Sequence, residues 1–183
     1  VGSRDLYSVA VYDLTQKDVA NRNVQTATYS PSGKVHSQGI ELEAHNQLTP
    51  RLSTVASYTL NHLRYKDSVD GNDGHTPYVT PNSMAALWGH YQFDYGLSAG
   101  AGVRYIGKQW ADNENTTRVP SVTLFDASVK ADLGVWNSSL KGAWLQVNAN
   151  NLTDRNYVAG CYGTGYCYRG AERSVMATVG YDF

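Results

Sequence analysis

The sequence has no apolar run approaching the ~20 residues that a membrane-crossing helix requires. It also has no basic segment followed by an apolar stretch that would mark a secretory leader. Charge of either sign is scarce: 15 Lys and Arg face 16 Asp and Glu for a net of −1, and charged residues make up 17% of the chain, where a soluble domain carries roughly 25%. No basic field is present to attract nucleic acid, and no acidic block suggests a solvating arm. Proline (5) and glycine (17) are too few for a low-complexity chain. Cysteine is limited to Cys161 and Cys167 within one short segment. The chain starts at Val1 rather than Met, which reads as a processed product or a piece of a longer protein. In place of charge the sequence holds uncharged polar residues, glycine and rings: 14 Tyr, 4 Trp and 3 Phe. A phenol suits a position with one apolar and one wet side.

Period-two alternation recurs to the last residue, whereas amphipathic helical spacing is hard to find. Val175, Ala177, Val179, Tyr181 and Phe183 share one face against Ser174, Met176, Thr178, Gly180 and Asp182. Leu145, Val147 and Ala149 alternate with Gln146, Asn148 and Asn150, and Phe125, Ala127 and Val129 with Asp126, Ser128 and Lys130. The same holds around Leu97–Tyr105, Ala85–Phe93, Ala56–Asn61 and Ile40–His45. A further segment, about Leu6 to Thr15, is apolar on both faces, so its phase stays open. Eight strands are expected, most of roughly ten to thirteen residues, against an average of about five or six in soluble domains. A bilayer-crossing strand takes ~9–11 residues at a tilt.

The second face of these strands carries Glu41, Glu43, His45, His90, Arg104, Asp126 and Lys130. A dry core would not hold such groups unpaired. One apolar and one wet face on every long strand is the pattern of a membrane barrel. The connections agree. Tight turns at 46–51 and 94–96 and a modest one at 133–141 alternate with long polar stretches at 16–34, 65–81, 108–119 and 153–170. Outer-membrane barrels keep short turns on the periplasmic side and long loops outside. The expected fold is therefore all-β, a transmembrane antiparallel barrel. Because strand edges cannot stay open in lipid, eight strands either close on themselves or join a larger sheet.

Asn151-Leu-Thr-Asp-Arg-Asn-Tyr157, then Val158-Ala-Gly-Cys161, Cys167 and Gly170-Ala-Glu-Arg173, resemble the end of TonB-dependent receptors for ferric hydroxamate siderophores of the ferrichrome and ferrioxamine type. Gly39–Ala44, Gly102–Gly107 and Val119–Asp126 also look like that family's barrel, and the terminal Phe183 resembles the signal read by the barrel-insertion machinery. The resemblance implies iron–siderophore uptake across a Gram-negative outer membrane, energised through TonB, with no enzymatic activity. It also implies that residues 1–183 form the last eight strands of a barrel of about 22, without the plug domain or the TonB-binding segment. The rival reading is a stand-alone eight-stranded barrel with a structural or adhesive role, which would bond its first strand to its last.

Under the resemblance, the loop before the last strand is extracellular, where oxidising conditions favour a Cys161–Cys167 disulfide over a metal pair. Such a small ring contributes roughly 2–3 kcal/mol. Hydroxamates wrap Fe(III) in their own oxygens, so no protein metal ligand and no covalent cofactor is expected, only aromatic walls and a few hydrogen bonds. The resemblance places an aromatic after the first loop cysteine in the siderophore pocket, here Tyr162. Tyr157, Trp110 and Tyr78 are further candidates, Tyr157 doubling as a membrane-interface ring. The pairs His62 with Asp67 and His75 with Asp73 are the arrangements from which a catalytic reading could be built; solvated loop histidines are the plainer one.

Overall fold

The structure, a computed structural model, describes residues 5–22, 29–68, 71–163 and 165–183, with side chains undescribed at 20–22 and 29–32. Eight strands form one sheet: β1 (Leu6–Arg22), β2 (Tyr29–Gln47), β3 (Leu52–Lys66), β4 (Ser83–Gln92), β5 (Leu97–Ile106), β8 (Val122–Asp132), β9 (Ala143–Asn150) and β12 (Ser174–Tyr181). Every neighbour is antiparallel and follows in chain order. Two small hairpins interrupt the long connections, β6 (Gln109–Trp110) with β7 (Arg118–Val119), and β10 (Val158–Cys161) with β11 (Cys167–Arg169). Among the described residues β1 and β12 pair only inwards, β1 with β2 and β12 with β9, so the small closed barrel is not what forms.

Register fixes the faces, because directly opposed residues share a side. Ile40 stands opposite Leu60 and Leu42 opposite Tyr58; from there the row runs through Ala85, Tyr105 and Leu87, Val103, Phe125. Val129, Val147 and Ala177 continue it on the next strands. The open phase of β1 is settled by its partner: Val9 opposes Leu42 and Val11 opposes Ile40. This apolar face is uncovered, with Phe125 45% and Val179 72% exposed, whereas Asp126 on the opposite face is 7% exposed. Exposed aliphatic side chains over a whole sheet are stable only against hydrocarbon.

The wet face packs rings over glycine. The Trp88 ring lies across Gly100 and Gly102, where a β-carbon would stand 2.5 and 2.3 Å from it. Trp144 covers Gly180 in the same way and lies 4.6 Å beneath the Lys130 ammonium. Arg104 makes a two-pronged ion pair with Asp126 (2.5 and 3.0 Å), and His45 meets Glu43 at 2.8 Å. The charged inner wall foreseen from the sequence is thus partly self-paired.

At one end the turns are tight and tied together. Tyr95 and Gly96 both take positive φ (63° and 72°) to reverse β4 into β5. Arg51 holds Asp94 of that turn in two contacts (3.0 and 2.7 Å), and the Trp136 indole donates to the Tyr95 carbonyl (3.0 Å). Asp132 and Asn137 each cap a short 3-10 turn in the third connection.

Strand lengths differ from expectation. They range from 8 residues in β9 to 19 in β2, and part of the stretch 16–34 read as a loop is strand. Pairing continues to Arg22 opposite Tyr29, with register shifts on either side of Val19. Beyond the bilayer both faces are wet, so alternation fades while the backbone ladder continues. The tip of that connection, 23–28, lies outside the described residues.

Candidate ligand site at the outer rim

The described residues of three long connections, 67–68 with 71–82, 107–121, and 151–163 with 165–173, form one unit. Asp112 starts it. Its carboxylate accepts from the Thr116 amide (2.7 Å), the Thr117 amide (2.9 Å) and the Thr116 hydroxyl (3.1 Å), curling 112–117 into a compact turn. Burial opposes ionisation of this carboxyl, but the donated amides outweigh burial and hold its pKa below 3.8. The turn puts Asn115 at φ 57°, a left-handed position that Asn tolerates.

From there the stitching crosses loops. Asn115 bonds both backbone groups of Thr76 (2.8 and 2.7 Å). The Asn113 carboxamide oxygen accepts from the Tyr65 hydroxyl (3.1 Å) and the Tyr78 amide (3.3 Å), and its carbonyl accepts from His75 Nδ1 (3.0 Å). Gln109 donates to the Ala159 carbonyl (2.7 Å) and the Gly163 amide donates to Ala111 (2.8 Å). Ala111, Val119 and Cys161 make a small dry core beneath these bonds, with Val158 at its margin. Cys161 and Cys167 are joined in a disulfide, and the Tyr162 amide bonds to the Tyr166 carbonyl within its ring.

Above that core four phenols form a chain. Tyr78 meets Tyr162 edge-on at 5.3 Å, Tyr162 meets Tyr168 at 5.4 Å, and Tyr168 meets Tyr166 at 5.1 Å. Tyr162 is 54% and Tyr166 60% exposed, so the cluster presents ring edges to whatever arrives from outside. A hydrogen bond with Tyr166 raises the Tyr168 phenol above its ordinary range, which keeps it a neutral hydroxyl. Two of the four sequence candidates, Tyr78 and Tyr162, therefore meet.

The other two stand apart. The Tyr157 ring lies flat on Gly170, whose amide donates to the Tyr157 carbonyl (2.9 Å). Trp110 pairs with Arg118, whose guanidinium covers its ring at 4.0 Å. Gln109 and Val119, the neighbouring pair, face the dry core, so alternation turns Trp110 to the opposite side of the hairpin. Neither drawn His–Asp pair forms: Asp67 is held by Lys34, Asp73 accepts from the Ser68 amide, and His75 is spent on Asn113. Among the described residues no three His, Cys, Asp or Glu side chains converge on a metal position.

The motif beginning at Asn151 has a structural explanation. Asn151 is buried at φ 51°; its side chain bonds to both backbone groups of Arg155 (2.8 and 3.0 Å) and the Ala171 carbonyl (3.0 Å). Its own amide donates to Asp126 (2.9 Å), fastening the loop to the Arg104–Asp126 pair. The stitching residues Asp112, Asn113 and Asn115 escaped the sequence reading, which registered this run only as part of the long polar stretch 108–119. The density of Asp, Asn and Thr there was the available signal for a compact turn.

An open sheet, apolar outside and polar inside, with short turns at one rim and interlocked loops at the other, is barrel wall of the outer-membrane kind. Residues 2–152 match the family described as TonB dependent receptor-like, beta-barrel, and the chain belongs to that family. Its members are outer-membrane barrels of Gram-negative bacteria, receptors and not enzymes. The chain is 63% identical over 182 residues to the ferrioxamine receptor of Yersinia enterocolitica, covering 100% of this chain and 26% of that protein. It is 37% identical over 186 residues to the ferrioxamine B receptor of Salmonella typhimurium, again covering 100% and 26%. The crystal structure of the siderophore receptor PiuA from Acinetobacter baumannii shares the fold, with a TM-score of 0.80 at 24% identity, over 96% of this chain and 26% of that one. The chain spans about a quarter of the length of the curated relatives it matches.

Proposed function

We propose that this chain is the C-terminal part of the barrel of a receptor that takes up a ferric hydroxamate siderophore, energised through TonB, and that Tyr78, Tyr162, Tyr166 and Tyr168 form part of the surface meeting the siderophore. The observation that carries the reading is the convergence of Tyr78 and Tyr162 from two separate loops onto one exposed aromatic cluster. Two relatives bearing the name of ferrioxamine receptors, matched along the whole chain, support the hydroxamate class.

The chemistry is that of a wall. The siderophore encloses its own iron, so recognition falls to its outer shell of methylenes and amide or hydroxamate oxygens. Ring edges pack on the methylenes, and neutral phenols donate to the oxygens. The stitched loops hold these rings in place before the ligand arrives, which lowers the entropic cost of binding. On this reading Tyr157 is a packing ring on Gly170, and Trp110 lies on the side of its hairpin away from the dry core. Plug, TonB and the barrel-insertion machinery are partners of the longer protein.

Quenching of the fluorescence of the full-length receptor by ferrioxamine B tests this. Tyr162→Ala and Tyr78→Ala each weaken affinity by about 1–2 kcal/mol, while Trp110→Ala leaves it unchanged. Unaltered affinity in both tyrosine variants overturns the site; binding of ferric catecholates in preference to hydroxamates overturns the ligand class.

A further inference from the structure

The root of the loop that carries Tyr162 hangs on one carboxylate of the wall. The Ala127–Ala149 pair ends the β8–β9 ladder, and the Leu152 amide next donates to the Phe125 carbonyl (2.8 Å). Between these points β8 supplies one residue, Asp126, against two, Asn150 and Asn151. A bulge of this kind leaves the extra residue without a place in the ladder. Asn151 is that residue: it is buried at φ 51°, and its amide turns to Asp126 Oδ1 (2.9 Å). Arg104, reaching across from β5, donates through Nη2 to the same oxygen (3.0 Å) and through Nε to Oδ2 (2.5 Å). Both carboxylate oxygens are thus held, and the one that serves Asn151 is oriented by a charged partner.

Asn151 also gathers both feet of the loop. Its carboxamide bonds the Arg155 backbone on the outgoing side and the Ala171 carbonyl (3.0 Å) on the returning side. Its carbonyl accepts from the Asp154 amide (2.8 Å), and the Asp154 carboxylate takes the Arg173 amide (2.9 Å). The crown of the loop is tied sideways to the β6–β7 hairpin through Gln109 and Ala111, whereas its root is tied to the sheet through Asp126. The second tie sets the height at which Tyr162, Tyr166 and Tyr168 stand beside Tyr78. We propose that Asp126 is a positioning residue for siderophore binding: through Asn151 it seats the loop so that its three phenols and Tyr78 meet the ligand together. Arg104 holds the carboxylate in the orientation this needs. The role rests on the tyrosine cluster being the ligand surface. A tie that raises affinity must itself be strengthened by the bound ligand, and by the same factor.

Fluorescence quenching of the full-length receptor by ferric ferrioxamine B reads the effect. Asp126→Ala is expected to weaken affinity roughly tenfold. Asp126→Asn combined with Arg104→Gln restores it to within about twofold, because an oxygen remains for the Asn151 amide and no lone cation is left. In a Tyr162→Ala background the loss caused by Asp126→Ala shrinks, whereas a merely structural role gives the same loss in both backgrounds. Equal loss in the two backgrounds, or a combined variant as weak as Asp126→Ala, overturns the proposal. So does unchanged affinity in Asp126→Ala where Tyr162→Ala weakens it. Unchanged affinity in Tyr162→Ala overturns the cluster itself, so the two failures are told apart. In the unmodified receptor, saturating ferric ferrioxamine B is expected to slow hydrogen exchange at the Asn151 amide roughly tenfold. Exchange there that the ligand does not slow overturns the role of Asp126 whether or not the variants fold.

Discussion

Asn115 grips Thr76 with both ends of its carboxamide: the Thr76 amide donates to Oδ1 at 2.8 Å, and Nδ2 donates to the Thr76 carbonyl at 2.7 Å. This clasp joins the loop that carries Tyr78 to the β6–β7 hairpin, which the Gln109 and Gly163 bonds join to the loop that carries Tyr162. The meeting of the two rings thus depends on side chains that touch neither.

Asn115→Asp keeps an acceptor for the Thr76 amide and tolerates the left-handed backbone, but it loses the donor and sets a carboxylate beside the Thr76 carbonyl. The expected cost to the loop junction is about 1–3 kcal/mol. Hydrogen exchange at Tyr78, whose amide is held across the same junction by Asn113, reports it as lost protection, with siderophore affinity falling in parallel. Unchanged exchange at Tyr78 shows that the clasp does not hold the loops.

Acid should loosen the same turn from the other side. The Asp112 carboxyl is held below 3.8, its ordinary value. Because the folded pKa is the lower one, the stabilisation is complete above about 3.8 and fades as pH falls through the folded value. Exchange at the Thr116 and Thr117 amides is therefore flat, after correction for intrinsic rates, from neutrality down to about pH 4. Below that it accelerates. Asp112→Asn shows the fast behaviour at every pH. An onset of loosening near neutrality would assign the turn's stability to some other group.

The two faces of the sheet predict opposite responses to one substitution. Val129→Arg puts a charge into the hydrocarbon-facing row, at a cost of about 2–4 kcal/mol near the bilayer midplane. Met176→Arg, on the wet face opposite Asn148, should cost under about 1 kcal/mol. Equilibrium unfolding of the receptor from lipid vesicles measures both. Equal costs would mean that the faces are wrongly assigned.

Strand phase was legible because hydrocarbon demands an apolar residue at every second position, and Phe125, Ala127 and Val129 answer that demand without help. In β1 it was not, since Ala10, Tyr12 and Leu14 are also apolar yet face inward against Glu41, Gly39 and Ser37. Only the partner strand decides there. The length of the β1–β2 hairpin was hidden because water on both sides removes the periodic signal. At the rim, the loop residues of interest were readable as aromatics but not as neighbours. Tyr78 and Tyr162 come from loops far apart in sequence, joined by asparagine bonds with no spacing rule. Trp110 lies on a strand of 2 residues, too short for alternation to reveal which way it faces.

The β1–β2 hairpin, with strands of 17 and 19 residues, climbs far past the ~9–11 that a bilayer consumes. Its upper ladder is held by main-chain bonds, to which side-chain identity is almost immaterial. Substitutions near the top of this mast are therefore expected to leave the hairpin standing, where the same changes in the lipid-embedded wall would not.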